Sequence, residues 1–181
     1  MRGVARFGLL LFGGAVAVGL CAAPAQAAQS SYLELTCGTQ GSIYGSSAVT
    51  SLGRENKIEV HEVHHLVRED PATARRVHEP FIFTKSVDRS TVNLYRALAT
   101  GEGCTAIFRF YRPDPATGGE VQYRTITLGN VRITAIEPIT ADVQAPANIN
   151  LPDRERVRMV YATITLDYSG EDIESYSISV N

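Results

Sequence analysis

The sequence predicts a mainly β domain, either a small β-barrel or two packed antiparallel sheets, with one flanking α-helix. Seven or eight short segments are β-branched or alternate between polar and apolar residues, as strands do, and turn residues separate them. A single segment repeats its apolar residues at the helical spacing. Hydrophobic residues make up 44% and charged residues 20% of the 181 residues, a balance that supports a folded domain with its own core.

The predicted strands cover most of the chain beyond residue 30. In chain order they are residues 31–36, 58–68, 81–87, 105–112, 121–128, 131–136, 157–168 and 173–180. The turn residues at 113–119 predict a hairpin between the two strands that flank them. Residues 141–152 contain two prolines and two asparagines, so they are predicted to form an irregular loop.

A long connection is predicted at residues 37–57, which are rich in Gly, Ser and Thr and contain few apolar residues. Gly41, Gly45 and Gly53 permit the backbone turns that such a connection needs. A long loop inside a compact domain usually has a function. This segment is therefore the first candidate for a functional role.

The predicted helix covers residues 90–100, where apolar residues recur every three or four positions. Ser90, or Asp88 just before it, can cap the free amide groups at the start of the helix. Gly101 can close the far end, because glycine accepts the left-handed conformation that commonly ends a helix.

Residues 1–27 have the pattern of a Sec signal peptide. Arg2 and Arg6 give the positive start, and the apolar run at 7–20 has 14 residues, which is too short to span a bilayer comfortably. The sequence Ala-Gln-Ala at 25–27 matches the small residues that signal peptidase requires. We therefore expect cleavage after Ala27 and a secreted or periplasmic protein with no stable membrane span.

The remaining residues, 28–181, are predicted to form one domain with an acidic balance. Without the two leader arginines, the 17 basic residues of the chain fall to 15 against 19 acidic ones, a formal charge of −4. No basic surplus is left to neutralise phosphates, so nucleic-acid binding is not expected.

Two cysteines remain once Cys21 leaves with the leader, and these are Cys37 and Cys104. In an oxidising compartment such a pair can form a disulfide. The loop that it would close is long enough to stabilise the fold by about 4 kcal/mol in the chain-entropy model. The alternative is two buried free thiols that pack as small hydrophobic groups.

Residues 61–65, His-Glu-Val-His-His, match the H-E-x-x-H pattern of zinc hydrolases. That pattern works on a helix, where His61 and His65 would face the same way and share one metal. The surrounding residues are β-branched, and on a strand residues four apart lie about 13 Å from each other. The segment is therefore predicted to be a strand, with a secreted zinc hydrolase as the less favoured alternative.

The remaining motifs suggest no chemistry. The sequence contains no G-x-S-x-G nucleophile motif and no phosphate-cradling glycine motif. The carboxylate pairs at 69–70 and 171–172 lie in turn-like sequence and are expected to be solvated. No catalytic residue, cofactor or metal site is predicted, and this favours a structural or binding role.

Residues 76–91 (RVHEPFIFTKSVDRST), followed by 94–102 (LYRALATGE), resemble the Hcp family of type VI secretion. That family carries a similar R-x-H-x-P-F segment, then F-T-K and D-x-S-T before its single helix. Residues 108–113 and 121–127 resemble its next hairpin, and the similarity extends from about residue 31 to residue 168. The interface candidates that this resemblance gives are Arg76, His78, Pro80, Phe81, Lys85 and Asp88.

The resemblance implies a structural protein with no catalytic site. Hcp subunits assemble as hexameric rings, and the rings stack into a tube that a contractile sheath drives out of the cell behind a VgrG spike. Effector proteins can travel inside the rings. The implied partners are other copies of this chain, a spike, sheath proteins and effectors.

In the family the equivalent of the 37–57 loop reaches the neighbouring ring, so this loop is the candidate for ring stacking. The alternative is a merely flexible surface loop. The candidate stacking residues are Ile43, Tyr44, Val49, Leu52, Gly53, Arg54 and Glu55.

Two features depart from the family. Ordinary Hcp subunits have no Sec leader, and residues 171–181 do not resemble the usual end of the chain. An exported binding module that keeps the fold without the tube function is therefore a second hypothesis.

Overall fold

A computed structural model of the chain describes residues 29–148, 150–169 and 173–179. The predicted leader at 1–27 lies outside these residues, and so do the carboxylate pair at 171–172 and residue 180 at the end of the last predicted strand. Within the described part there are twelve strands and one α-helix. They are β1 (Ser30–Cys37), β2 (Gly41–Ile43), β3 (Ile58–Val60), β4 (Glu62–His64), β5 (Val67–Glu69), β6 (Arg76–His78), β7 (Phe81–Ser86), α1 (Ser90–Thr100), β8 (Cys104–Pro113), β9 (Glu120–Ile139), β10 (Arg154–Val160), β11 (Thr163–Ser169) and β12 (Ile173–Ser179).

Two antiparallel sheets contain most of these strands. The first runs β12–β11–β9–β8–β1, and β2 and β3 pair with opposite ends of the outer edge of β1. The second runs β9–β10–β7–β4. The strands β5 and β6 form a separate two-stranded hairpin. The predicted hairpin between β8 and β9 is confirmed, and it is the longest pairing in the fold.

The long strand β9 belongs to both sheets. Its first half pairs with β8 and β11, and its second half pairs with β10. The prediction of two strands at 121–128 and 131–136 was therefore wrong in one respect, because the ladder continues through Asn130, which has a positive φ of 50°. The strand bends here and passes from one sheet to the other.

The chain that pairs with β9 bends at the same corner. Residues 157–168 were predicted as one strand, but they divide at Tyr161 and Ala162 into β10 and β11. The amide of Ala162 donates a hydrogen bond of 2.9 Å to the carbonyl of Gly129. A Cβ atom at Gly129 would lie 2.4 Å from the Thr163 hydroxyl, so any other residue at this corner would force the Thr163 side chain to move.

The chain also passes from the first sheet to the second at His61. The predicted strand 58–68 is extended as expected, but it divides into β3, which pairs with β1, and β4, which pairs with β7. The amide of His61 donates to the carbonyl of Thr84 at 2.8 Å, and the chain enters the second sheet at this point. The extended conformation agrees with the β-branched sequence and disagrees with a helix.

The two sheets pack face to face around one core. Phe108 of the first sheet lies with its ring centroid 4.8 Å from that of Phe81 and 5.6 Å from that of Phe83, both on the second sheet. The described strands do not close into a continuous hydrogen-bonded cylinder. The edge strand β4 pairs with β7 alone, and it does not pair with β2, β3 or β12 at the other edge. The prediction of two packed antiparallel sheets is confirmed, and a closed barrel is not formed.

The helix α1 begins and ends where the sequence predicted. A carboxylate oxygen of Asp88 accepts the backbone amide of Ser90 at 2.9 Å, so Asp88 caps the first turn. Gly101 ends the helix with a φ of 63° and donates to the carbonyl of Ala97 at 3.0 Å. Leu94 and Ala97 are buried where the helix packs against β9. At eleven residues, α1 is too short to cross a membrane, and no other described helix is longer or sufficiently apolar.

Candidate functional site

The loop between β2 and β3 is tied together by its own backbone. The amide of Gly45 donates to the carbonyl of Asn56 at 2.9 Å, and the amide of Asn56 donates to the carbonyl of Ser47 at the same distance. A Cβ atom at Gly45 would lie 2.3 Å from the carbonyl oxygen of Lys57, so no larger residue fits. The two sides of the loop are therefore closed against each other.

Arg54 fixes the base of this loop to the first sheet. Its side chain is 3% exposed, and its guanidinium lies 5.4 Å from the ring centroid of Tyr32 and 4.8 Å from that of Tyr111. The same group forms an ion pair of 2.6 Å with Glu120, and this hydrogen bond lowers the pKa of Glu120. A buried cation between two rings with its own carboxylate positions the backbone around it.

The start of α1 holds the other side of the loop. Asp88 accepts the backbone amide of Ser46 at 3.0 Å. Arg89 donates to the side-chain oxygen of Asn56 at 2.7 Å and to the carbonyl of Gly45. The loop is thus anchored to two separate elements, and this contradicts a loose surface loop.

The anchored loop presents two large apolar side chains to solvent. Tyr44 is 57% exposed and Leu52 is 55% exposed, and Leu52 has a positive φ of 55°. Gly53 and Glu55 are also exposed, and Val49 is half-buried. These five predicted stacking residues therefore lie on an accessible surface.

The other two stacking candidates are buried within their own chain. Ile43 is 4% exposed and belongs to the core, because it alternates inward at the end of β2. Arg54 serves the intramolecular anchor described above. In this subunit both side chains position the loop, and little of either is left accessible to a neighbouring ring.

Lys85 lies at the centre of a buried ionic network next to the loop. It is fully buried and forms ion pairs with Glu155 at 2.7 Å and with Asp88 at 2.8 Å. Its ammonium also donates to the carbonyl of Ser86 at 2.7 Å. Glu155 accepts the hydroxyl of Thr91 at 2.9 Å. The network thus joins β7, β10 and the first turn of α1.

Burial raises the pKa of Asp88, but hydrogen bonds from Lys85 and from Ser90 lower it more, so the net pKa lies below the ordinary value. Asp88 is therefore charged at neutral pH while it binds the Lys85 ammonium, the Ser90 amide and the Ser46 amide. One carboxylate connects the ionic network, the helix and the loop.

Comparison with known proteins identifies the family. Residues 32–168 match the family described as "Type VI secretion system effector, Hcp". The chain belongs to the Hcp family. A relative from Pseudomonas aeruginosa PAO1, named "Major exported protein", is 31% identical over 120 residues, which cover 62% of this chain and 69% of the relative.

Solved Hcp structures have the same fold. A mutant of the Hcp1 protein from E. coli EAEC 042 is 30% identical, with a TM-score of 0.71, and the match covers 83% of this chain and 98% of that one. The secreted protein Hcp3 from Pseudomonas aeruginosa, at 24% identity and a TM-score of 0.70, covers 85% of this chain and 99% of its own and supports the fold alone.

The Hcp-family motif residues divide between the core and the surface. Phe81 is fully buried, Lys85 and Asp88 form the ionic network, and Pro80 is half-buried. Arg76 is exposed and pairs with Glu69 across the β5–β6 hairpin. Most of this motif therefore stabilises the subunit itself, and Arg76 is its most accessible charged side chain.

His78 belongs to a cluster that the sequence did not reveal. Its Nδ1 lies 2.9 Å from the hydroxyl of Tyr161, and Nε2 of His65 lies 2.5 Å from the same hydroxyl. The His65 ring also packs on Phe81, with centroids 5.4 Å apart. Burial raises the pKa of Tyr161 to about 12, so the phenol stays protonated. The hydroxyl has one proton and two lone pairs, so it can donate to one ring nitrogen and accept from the other, and this contact joins the β5–β6 hairpin to the sheet corner.

The zinc-hydrolase pattern does not form its metal geometry. His61 and His65 contact different partners, the hydroxyl of Ser86 at 2.8 Å and that of Tyr161. The residues between them form β4, and the helical turn that the pattern requires is absent from residues 58–69. Among the residues that the structure describes, no group of three His, Cys, Asp or Glu side chains could hold a metal ion.

Acidification is expected to destabilise the His65 contact. Burial lowers the pKa of His65, and the neighbouring His78 and His64 lower it further. The unfolded chain therefore binds a proton at this histidine more readily than the folded protein does. The stability from the neutral His65 is fully present above the unfolded-state pKa of about 6.5, and it is lost as the pH falls through the folded-state pKa. Between pH 7.5 and pH 5, we expect the Tm of His65→Gln to fall less than that of the wild type, by a few degrees.

Thermal unfolding followed by circular dichroism measures this difference. His64→Gln is the comparison variant, because His64 is exposed and is only the smallest of the causes that lower the pKa of His65, so its Tm decrease should stay close to that of the wild type. The same Tm decrease in all three proteins would contradict the assignment to His65.

Cys37 and Cys104 form a disulfide between β1 and β8. The two residues lie opposite each other in register, with Cα atoms 4.0 Å apart. Both side chains are buried. The pairing predicted for an oxidising compartment is thus present, and the alternative of two free thiols is not.

Proposed function

We propose that this protein is a ring-forming structural subunit of the type VI secretion tube class. Its hexameric rings stack through the loop between β2 and β3, which we call the 44–57 loop. The observation that carries the proposal is the anchored loop, which presents Tyr44 and Leu52 to solvent while Arg54 and Asp88 hold its base. Exposed apolar side chains on a rigid support are typical of contact surfaces between proteins.

Two complementary surfaces are required for a ring, because a head-to-tail contact must close on itself. The loop is a third surface, directed along the stacking axis in this proposal. The partners are further copies of the chain, and by family membership a VgrG-type spike, sheath proteins and effectors carried in the ring. The protein acts by assembly and has no catalytic role.

Export through the Sec pathway is part of the same proposal. The disulfide suits an oxidising compartment, and the named relative in Pseudomonas aeruginosa is an exported protein. The mature protein is then secreted or periplasmic, and its rings form from subunits that already carry the Cys37–Cys104 bond.

Leu52→Asn tests the stacking role. Asparagine tolerates a positive φ, so the subunit should keep its stability within about 0.5 kcal/mol while it loses the apolar contact. We expect rings of normal mass by mass photometry and strongly shortened tubes by negative-stain electron microscopy.

Val143→Asn is the matched control, because Val143 is 73% exposed and lies in the irregular 141–152 loop. It should leave tube length unchanged. Normal tubes from Leu52→Asn would contradict the stacking role, and a strictly monomeric wild-type protein would contradict ring formation and favour an exported binding module.

A further inference from the structure

The outer face of the second sheet carries a row of arginines. Along β10 the residues Glu155, Val157 and Met159 point into the core, and the alternate residues Arg154, Arg156 and Arg158 point outward. The side chain of Arg156 is 38% exposed and that of Arg158 is 48% exposed. Because β10 lies between β9 and β7, this row occupies the middle of the sheet face and not its edge.

A fourth arginine extends the row onto the neighbouring strand. Arg132 of β9 is exposed and lies opposite Val160 in the β9–β10 register. We call these four residues the arginine face, and they are Arg132, Arg154, Arg156 and Arg158.

The charge of this face is poorly neutralised within the subunit. Glu137 is the carboxylate that pairs with it, and it is shared between Arg156 at 3.5 Å and Arg158 at 3.7 Å. Within the described residues, Arg132 and Arg154 make no ion pair. By contrast, Arg54 has its own carboxylate at 2.6 Å. A cluster of cations on an otherwise acidic chain attracts an external anion.

A shallow cleft of about 190 Å³ borders the row on its β7 and β4 side. Its lining residues come from three neighbouring strands, and they are Glu62, His64, Ile82, Thr84, Arg156 and Arg158. The surface next to the arginines therefore combines an apolar side chain, hydrogen-bonding groups and one carboxylate.

We propose that the arginine face binds an acidic segment of a partner polypeptide in an extended conformation. Alternate residues of β10 are about 6.6 Å apart, and alternate side chains of an extended peptide have the same spacing. Carboxylates at every second position of the peptide could then meet successive guanidinium groups, which bind carboxylates in a bidentate manner. The intervening side chains of such a peptide point away from the face, so the face places no requirement on them.

A polyphosphate chain fits this face less well than a polypeptide. Glu62 and Glu137 interrupt the positive surface and would repel an unbroken series of phosphates. A polypeptide can place a neutral or basic side chain at those positions. The inference does not depend on ring formation, because binding to this face can be measured for either a single subunit or a ring.

A fluorescein-labelled peptide of alternating Glu and Thr residues is a suitable probe, with an oligothymidylate of the same formal charge beside it. Fluorescence anisotropy at low salt should show that Arg156→Glu/Arg158→Glu weakens peptide binding at least about tenfold. The control variant Arg75→Glu/Arg96→Glu changes the net charge equally at two exposed arginines outside the face, and it should weaken binding less than about twofold.

Any of three other outcomes would contradict the proposal. Equal losses in the two variants would show that net charge alone attracts the peptide. If the oligothymidylate bound more tightly than the peptide, and the Arg156→Glu/Arg158→Glu variant lost this binding, the face would be a site for chains of phosphate groups. A changed oligomeric mass of Arg156→Glu/Arg158→Glu, measured on the same samples by mass photometry, would make the face a contact between copies of the chain. Such a change would leave the stacking test with Leu52→Asn unaffected.

Discussion

Lys85→Met is expected to lower the free energy of unfolding by about 3–5 kcal/mol, because it leaves the carboxylates of Glu155 and Asp88 without their cation. Methionine has a similar length and no charge, so the loss reports on the charge and not on a cavity. Glu155 is 1% exposed and cannot recover its interaction with water. Urea unfolding followed by circular dichroism measures the change.

The same variant should also weaken the loop anchor. Asp88 binds the amide of Ser46 while it pairs with Lys85, so a displaced Asp88 would release one side of the 44–57 loop. Limited proteolysis of the loop is then expected to be faster in Lys85→Met than in the wild type under native conditions.

The double variant Lys85→Met/Glu155→Gln supplies the matched comparison. Glutamine keeps an acceptor for the Thr91 hydroxyl and removes the unpaired charge, so the double variant should regain roughly half or more of the lost stability. If Lys85→Met costs less than about 1 kcal/mol, or if the double variant is no more stable than the single one, the network is not an ionic support of the fold.

Loss of the disulfide is the second large effect. Cys37 and Cys104 are separated by 67 positions, and a loop of this length predicts a loss of about 4 kcal/mol for Cys37→Ala/Cys104→Ala. For a domain of this size the Tm should fall by roughly 10 °C. The reduced wild-type protein is expected to resemble the variant, because both lose the same cross-link.

Reductant provides the internal control for this experiment. Dithiothreitol should lower the Tm of the wild-type protein and leave that of Cys37→Ala/Cys104→Ala unchanged. A wild-type Tm that does not respond to complete reduction, verified by thiol titration, would show that the strand pairing of β1 with β8 alone fixes this end of the sheet.

Local signals made one part of the fold predictable. The helix at 90–100 has its cap, its apolar spacing and its closing glycine within a dozen residues, so both ends agreed with the structure. The hairpin around 113–119 was equally predictable, because turn residues lie between two strand-like segments. In each case the residues that determine the conformation lie within the element itself, so a short stretch of sequence is enough to predict it.

The sheet corners were not predictable in this way. Residues 58–68 and 157–168 each read as one strand, yet each divides where the chain moves between sheets. Residues 129–130 were predicted to separate two strands, although β9 continues through Asn130 with a positive φ. Whether an extended segment bends or ends depends on the strand that pairs with it, and that strand is distant in the sequence.

The candidate site likewise has features that the sequence predicted and features that it did not. The composition of 37–57 predicted a functional loop, but it could not distinguish Ile43, which is buried, from Tyr44, which is exposed. Arg54 was a candidate stacking residue, and the sequence could not show that it is buried against Tyr111 and Glu120. The partnership of Tyr161 with His65 joins residues 96 positions apart, and no local signal could have indicated it.

The sequence by itself determined a mainly β domain with one helix, the family and the segment most suited to assembly, because those properties depend on residue types and their spacing. The tertiary structure decided which side chains of that segment are anchors, where the two sheets exchange strands, and that four arginines share one outer face with little neutralisation. The physical reason is that burial and charge pairing are set by neighbours from distant parts of the chain, and a linear pattern does not specify those neighbours.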